Sequence, residues 1–284
     1  MAARPKDQDA ISAFAEELKA WRATRGWTQG ELAAKVNYSE SLIALVETCR
    51  SAATMDLGRA LDRVFGTPGY APATGNRPEA PGTFMRLAAR IRKLSFPVAF
   101  RPFTDFEEDA TALYIFEPAL FPGLFQVEEY AHAVLATHPG ATAEQVTGRL
   151  AARMSRQGIV VHDNPPRIWV LVYEPALHNL VDSPQAMYRQ LMRMVDASRL
   201  PNVTVQVLPA GLHAALKGSF HLAEKIGVPT AAYIEDVTDG RTTQDPVVLN
   251  ELSERFRYLQ IEAMTPSASR EFMEKVAKDQ WSEA

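Results

Sequence analysis

Cysteine and long apolar runs are scarce in this sequence. Cys49 is the single cysteine among 284 residues, which excludes an internal disulfide and a thiolate cluster for zinc. No window reaches the roughly 18 consecutive apolar residues of a membrane-spanning helix, and the start MAARPKDQDA lacks the apolar segment of a secretory signal. These features predict a cytoplasmic protein that does not associate with a membrane.

Residue patterns typical of enzymes are also missing. The six histidines include no pair at metal-ligand spacing beside an acid. A glycine-rich run before Lys-Ser or Lys-Thr is absent, and Ser219 does not lie in a nucleophile-elbow pattern. The sequence therefore predicts a protein that is not an enzyme, with no catalytic residue, metal or cofactor.

The charge balance gives no sign of a chain that coats nucleic acid. The formal net charge is −4, whereas binding driven by phosphate attraction requires concentrated lysine and arginine. Any contact with DNA must therefore be local. Hydrophobic residues make up 46% of the chain, enough for a real core, and the length favours two domains.

The first quarter of the chain has the signals of short, capped helices. Thr28 followed by Glu31 predicts a capping box at the start of one helix. Ser39 is placed to begin the next helix, and Thr54 or Asp56 a further one.

The stretch TQGELAAKVNYSESLIALVETCR, residues 28–50, has the residue types that a helix-turn-helix requires. Ala33 is small where the two helices would approach most closely. Asn37 occupies the turn, where asparagine tolerates a left-handed backbone. The apolar positions that would face one another across the turn are Leu32, Val36, Tyr38, Ile43 and Val46. The stretch therefore predicts a DNA-binding unit.

The longer segment LKAWRATRGWTQGELAAKVNYSESLIALVET resembles the five-helix DNA-binding domain of Xre-type and lambdoid-phage repressors. The resemblance implies that Gln29 contacts the DNA backbone and the base-reading side chains. It also implies that Glu40, Ser41 and Leu45 point into the major groove, and we count Ser39, at the start of the recognition helix, among the DNA-binding residues. Flanking residues would meet phosphate, and these are Lys35, Tyr38 and Arg50.

The acids of this segment have different interpretations. Glu47 matches a glutamate common in the family, and we expect it to stabilise the fold through an ion pair with Arg22 or Arg25. Glu40 has two open interpretations: it accepts from a cytosine amino group, or it is a first-turn carboxylate favoured by the helix dipole. Cys49 replaces the glycine that usually ends the recognition helix in that family.

The DNA-binding domain lacks a positive excess. Residues 1–66 contain nine basic and nine acidic side chains. One such domain should bind DNA weakly, so the sequence predicts a homodimer, whose two recognition helices enter successive major grooves about 34 Å apart.

The remainder of the chain predicts a second domain of another class. Four prolines and four glycines in residues 66–82 indicate a linker or, alternatively, a long loop inside one domain. The pattern is mainly helical from residue 83 to about 157, after which RIWVLVYEPAL, NVTVQVLP, GSFHLAEKI and TAAYIEDV predict strands. We therefore predict an all-α helix-turn-helix domain over 1–66, a linker over 67–82 and a mixed α/β domain over 83–284.

The segments AFRPFTDFEEDATALYIFEPALFPGLFQVEEYAHAVL, PPRIWVLVYEPAL and LPNVTVQVLPAGLHAALKGSFHLAEK resemble the C-terminal domain of actinobacterial antitoxin-like regulators, including WhiJ-type developmental regulators. The resemblance implies a small acidic partner protein and, in some members, a small-molecule effector. Within this region Phe121 and Phe125 are candidates to line an apolar pocket with Glu117 and Gln126 as its polar groups. The alternatives are a rigid turn whose aromatics join the core, and a groove for a partner protein.

Together these features predict a sequence-specific, dimeric transcriptional regulator of double-stranded DNA. Its C-terminal domain would control binding through a small partner protein or a ligand. The alternative is an antitoxin-like interaction protein that mainly sequesters a small acidic partner and regulates its own operon.

Overall fold

The computed structural model describes residues 5–74, 79–94, 96–161, 164–211, 218–236 and 240–282. The chain divides into two compact units, Met1–Phe96 and Pro97–Ala284. No helix within the described ranges is long and apolar enough to cross a membrane.

The N-terminal unit is built of helices. Their bounds are α1 Pro5–Thr24, α2 Gln29–Val36, α3 Glu40–Glu47, α4 Met55–Phe65 and α5 Thr83–Leu94.

Side-chain caps begin α2, α3 and α4, as the sequence predicts. Thr28 accepts from the backbone N–H of Glu31, whose carboxylate accepts from the Thr28 N–H in return. Ser39 caps α3 and Thr54 caps α4 through the same bond to the third helical residue. These caps satisfy N–H groups that have no partner inside a helix, so the predicted starts of the three helices are confirmed.

The turn between α2 and α3 requires a left-handed residue. Asn37 has φ 60° and ψ 45°, and its N–H donates to the Ala33 carbonyl to close α2. Cys49, just past α3, also has a positive φ of 59°. Asparagine adopts this conformation at lower cost than most residues other than glycine, which explains the residue type at the turn.

One apolar core holds the N-terminal unit together, and α5 is part of it. The buried residues of this core include Phe14, Leu18, Leu32, Val36, Ile43, Val46, Leu57, Leu61, Phe65, Phe84, Ala88 and Ile91. The Phe84 ring of α5 packs edge-on against Phe14, with ring centroids 5.3 Å apart. Without α5, this face of the core would be open to water.

The N-terminal unit therefore extends to Phe96, beyond the boundary at residue 66 that the sequence predicts. The physical reason is Asp62, whose carboxylate is completely buried and accepts from the N–H groups of Phe84 and Met85, both at 2.8 Å. The Thr67 hydroxyl also donates to Asp62. A Cβ on Gly82 would collide with Asp62 and Thr67, so glycine allows the chain to approach. The described parts of the proline- and glycine-rich segment, residues 66–74 and 79–82, therefore lie within the unit rather than at its end.

The C-terminal unit contains a mixed sheet of six strands within the described residues. These are β1 Ala112–Glu117, β2 Arg167–Tyr173, β3 Val203–Leu208, β4 Phe220–Lys225, β5 Val228–Ile234 and β6 Arg241–Thr243. Their order is β3-β2-β1-β4-β5-β6. β1, β2 and β3 are parallel to one another, whereas the pairs β1–β4, β4–β5 and β5–β6 are antiparallel.

Helices surround this sheet. They are α6 Arg101–Glu108, α7 Glu128–Ala136, α8 Ala143–Arg156, α9 Pro175–His178, α10 Pro184–Ala197, α11 Pro246–Glu262 and α12 Pro266–Trp281, with 3-10 turns at Gly123–Phe125 and Gln157–Val160. α11 packs Leu249, Leu252 and Phe256 against a core that includes Phe116 and Phe220 of the sheet. The predicted mixed α/β class is confirmed. The helical pattern expected over residues 112–117 is wrong, because this segment forms the central strand β1 and is buried on both faces.

We expect Asp62→Ala to lower the free energy of unfolding of the N-terminal unit by about 2–4 kcal/mol, because three hydrogen-bond donors lose a buried acceptor. Urea unfolding followed by tryptophan fluorescence tests this, since Trp21 lies 6.5 Å from Phe84 of α5, ring to ring. Asp56→Ala on the same helix is the control, because Asp56 is 76% exposed. Equal losses in the two variants would contradict the anchoring role of Asp62.

Candidate functional site

The outer face of α3 is the candidate recognition surface. Ser41 and Leu45 lie one turn apart and are exposed, Leu45 to 39%. The opposite face of the helix is buried through Ile43 and Val46. The structure thus places Ser41 and Leu45 together on the face that the resemblance assigns to the major groove.

Glu40 is exposed at the first turn of α3 and leans toward α2. A Cβ added to Gly30 would lie 3.2 Å from the Glu40 Oε2 atom. The carboxylate is therefore close to the first turn of α2 as well as that of its own helix, and both helix dipoles favour a negative charge there. This position supports the dipole interpretation and leaves the carboxylate on the exposed side of the unit.

Glu47 is the centre of a polar network that joins three helices. Its carboxylate is 2% exposed and receives two bonds from the Arg22 guanidinium, Nε to Oε1 at 2.6 Å and Nη2 to Oε2 at 2.9 Å. Gln29 Nε2 donates to Oε2 at 2.8 Å. The expected ion pair is thus with Arg22, and Arg25 instead donates to the Phe65 carbonyl.

The network shifts the pKa values of both charged partners. Burial raises the pKa of Glu47. The hydrogen bonds from Arg22 and Gln29, together with the Arg22 charge, lower it by more, so the pKa lies below the usual glutamate value. The bond to Glu47 raises the pKa of Arg22. Because the ion pair also holds the Gln29 amide nitrogen, it positions the residue that the resemblance assigns to the DNA backbone.

The predicted phosphate-contacting residues flank α3 in different environments. The Lys35 ammonium lies over the Trp27 ring, 4.6 Å from its centroid. Tyr38 is half-buried against the core, so only part of it can reach a ligand. Arg50 is exposed beyond the end of α3, where its N–H donates to the Leu45 carbonyl at 2.8 Å. Ser39 is exposed, and its hydroxyl accepts from the Leu42 N–H as the helix cap.

Sequence reasoning missed two residues near this surface. Thr48 is exposed, and it continues the line of Ser41 and Leu45 at helical spacing. That spacing alone would have identified it. Trp27 was also missed, although its ring stacks on Phe65 and supports the Lys35 charge.

In the C-terminal unit, the predicted pocket residues form a rigid turn. Phe121 and Phe125 are buried in the core. Gln126 Nε2 donates to the Phe121 carbonyl at 2.6 Å, and Gln126 Oε1 accepts from Arg153 Nη1 at 2.6 Å. Gln190 bonds to the Phe125 carbonyl and to the N–H that follows Gln126. These contacts favour the rigid-turn alternative over an aromatic pocket.

Glu117 lies at the end of β1 and contacts a buried histidine. Its Oε1 atom is 2.9 Å from His221 Nε2. His221 is 7% exposed, and its Nδ1 atom has no hydrogen-bond partner in the part of the chain that the structure describes. The rings of Phe103 and Tyr233 approach the imidazole with their planes strongly inclined to it. The pair is a buried polar contact in mainly aromatic surroundings.

A metal centre is not formed by the residues that the structure describes. Among them, no group of three or more histidine, cysteine, aspartate or glutamate side chains is arranged to hold a metal ion.

Comparison with known proteins identifies two regions of the chain. Residues 13–71 match the family described as a helix-turn-helix domain. Residues 100–275, more than half of the chain, match the family described as a domain of unknown function, DUF5753. No curated protein and no solved structure matches. The helix-turn-helix match covers the network of Glu47 and the outer face of α3, and it supports a DNA-binding regulator with DNA as a partner.

We expect Glu47→Ala to destabilise the N-terminal unit by about 3 kcal/mol, because it leaves the Arg22 charge without its partner. Hydrogen–deuterium exchange of the α2 and α3 amides measures this local stability. Glu16→Ala, at an exposed glutamate of α1, is the matched control and should change stability by no more than about 0.5 kcal/mol.

The Glu47→Ala variant also tests how the stability of the N-terminal unit depends on pH. Since the folded-state pKa of Glu47 is lowered, its stabilising effect is complete above the ordinary glutamate pKa of about 4.3 and is lost as the pH falls through the folded value. The stability difference between wild type and Glu47→Ala should therefore shrink under acid conditions. A difference that stays constant from neutral to strongly acid pH would contradict the ionised pair.

Proposed function

This chain belongs to the DUF5753 family and carries a helix-turn-helix domain ahead of that domain, and we propose that it is a sequence-specific transcriptional regulator. The observation that carries the proposal is the outer face of α3. Its polar and apolar side chains are exposed, whereas the opposite face is locked into the core. A helix with one free face on a rigid support is what the major groove accepts.

The exposed side chains suit base recognition. The Ser41 hydroxyl can donate to or accept from a base edge, and the Leu45 side chain can contact a thymine methyl group. Glu40 adds an acceptor for the amino group of cytosine. Its place beside α2 keeps the carboxylate at one end of the recognition surface. These three residues would supply specificity and little attraction to phosphate.

Affinity must then come from elsewhere, and we propose a homodimer. The first 66 residues have no net charge, and the excess of four positive charges in the N-terminal unit up to Phe96 comes from residues 67–96, outside the helix-turn-helix. The cations that flank α3 are few, chiefly Lys35 and Arg50. Two linked recognition helices multiply their binding constants through an effective concentration. The C-terminal domain would control this assembly through a small effector or a small acidic partner protein.

Replacing Glu40 or Ser41 with alanine should change the preferred DNA sequence while the fold remains intact. Each lost base contact removes about 1–3 kcal/mol of discrimination, roughly tenfold or more between the preferred and a substituted base pair. Selection of bound sequences from a randomised DNA library, with wild type and each variant in parallel, measures this. Thr24→Ala, at an exposed residue at the end of α1, is the control. Identical selected sequences for all proteins would refute the assigned recognition face.

Arg50→Ala should weaken binding to all sequences alike. A lost phosphate contact lowers the dependence of log affinity on log salt by about one. Fluorescence anisotropy across a salt series measures the slope, and Arg189→Ala in the C-terminal unit serves as the control, since Arg189 is 51% exposed. An unchanged slope in Arg50→Ala would remove Arg50 from the phosphate contacts and leave the base-reading prediction standing.

A further inference from the structure

Two arginines of α8 converge on one glycine of the C-terminal unit. Arg153 and Arg156 are three residues apart and lie on the same side of the helix. A Cβ added to Gly123 would be 3.6 Å from Arg153 Nε and 3.6 Å from Arg156 Nη1. The position that a side chain of residue 123 would occupy is therefore within contact distance of both guanidinium groups, and the glycine leaves it empty.

The two arginines differ in how their charge is balanced. Arg156 forms a bidentate ion pair with the buried Glu107 carboxylate, at 2.5 Å and 2.7 Å, and its guanidinium lies over the Phe100 ring. Arg153 bonds only to the neutral Gln126 amide. Within the described residues, Arg153 has no carboxylate partner.

Other acids near Arg153 already have partners. Glu117 is bonded to His221, and Glu235 accepts from the Ser219 hydroxyl at 3.0 Å. Both act on Arg153 only through their longer-range charge, and Tyr130 acts in the same way. Desolvation, followed by repulsion from Arg156, lowers the pKa of Arg153 to about 10. A partly buried cation without a directly bonded counter-ion is energetically costly.

The guanidinium N–H groups that have no acceptor among the described residues indicate an anionic ligand with oxygen atoms. Arg153 uses Nη1, and Arg156 uses Nε and Nη2. In the described part of the chain, Arg153 Nε and Nη2 and Arg156 Nη1 meet no acceptor. Arginine pairs bind carboxylate and phosphate oxygens through such paired N–H groups.

We propose that Arg153 and Arg156 form an oxyanion site over Gly123, which binds the carboxylate or phosphate group of a small effector. Gln126 positions Arg153, because its amide accepts from Nη1 while donating to the Phe121 carbonyl. If the C-terminal domain regulates DNA binding, this site identifies the class of effector as an oxyanion. That regulatory role rests on the proposed function. Binding of the anion does not depend on it.

Thermal unfolding of the full chain tests the site with inorganic phosphate and acetate as separate probes, at ionic strength held constant with sodium chloride. A bound anion stabilises the native state by mass action, so an anion present at about ten times its Kd should raise Tm by about 3–6 °C. Phosphate and acetate distinguish the two sources of the oxyanion. A shift with neither probe would overturn the proposal.

Gly123→Ala is the decisive variant, because it keeps both arginines and places a methyl group in the proposed binding space. Its Cβ would make only ordinary contacts at 3.6 Å, so the variant should fold and lose the anion-dependent shift. Arg153→Met should lose it as well, whereas Arg189→Met, which removes an exposed arginine, should retain it. An undiminished shift in both Gly123→Ala and Arg153→Met would refute the site.

DNA affinity, measured separately with and without the effective probe, keeps the two proposals apart. An anion shift without any DNA binding refutes the regulator and supports the site. DNA binding without an anion shift refutes the site and supports the regulator.

Discussion

The recognition surface depends on the ion pair between Arg22 and Glu47. Taking two charges out of water is costly, and the cost is offset only when geometry is good and the remaining lone pairs are bonded. Here the carboxylate receives two bonds from Arg22 and one from Gln29. The three partners come from α1, α2 and α3, so the network ties the position of α3 to both preceding helices. A side chain on α3 can read a base only if this backbone is held in place.

A second buried carboxylate has the corresponding role for the rest of the N-terminal unit. Asp62 meets the amino end of α5, where free N–H groups and the helix dipole favour a negative charge. Its bonds to Phe84 and Met85 place the apolar face of α5 over the core. Arg59 strengthens the approach through its ion pair with Glu79 in the preceding loop. The unit is closed by a segment that follows the proline-rich loop rather than one that precedes it.

Local features were predictable from sequence, and contacts between distant segments were not. The Thr28 capping box and the left-handed Asn37 depend on a few neighbouring residues, and both are confirmed. The boundary at residue 66 missed α5, because an apolar stripe does not reveal which core it joins. The sequence of β1 predicts a helix instead of a strand, because a central strand that is covered on both faces lacks the alternation of a half-exposed one. The surroundings of Arg156 and Glu117 depend on partners 49 and 104 residues away.

The buried charged side chains differ in whether their hydrogen bonds and charges are satisfied within the protein. Satisfied ones stabilise the fold, and an unsatisfied one is a candidate to bind a ligand. Glu47 and Asp62 have all their strong contacts within the protein, and a satisfied network gives rigidity without a vacancy for a ligand. Arg153 has a neutral partner and unused donors beside Gly123, so its environment is incomplete in a way that an anion would correct. Both charge patterns arise in a chain whose net charge is small. The exposed face of α3 would need little charge to discriminate bases, whereas the partly buried Arg153 lacks a directly bonded counter-ion in the described part of the chain. The base recognition proposed for α3 and the anion binding proposed for Arg153 and Arg156 are therefore assigned to different units, the first to exposed side chains and the second to partly buried ones.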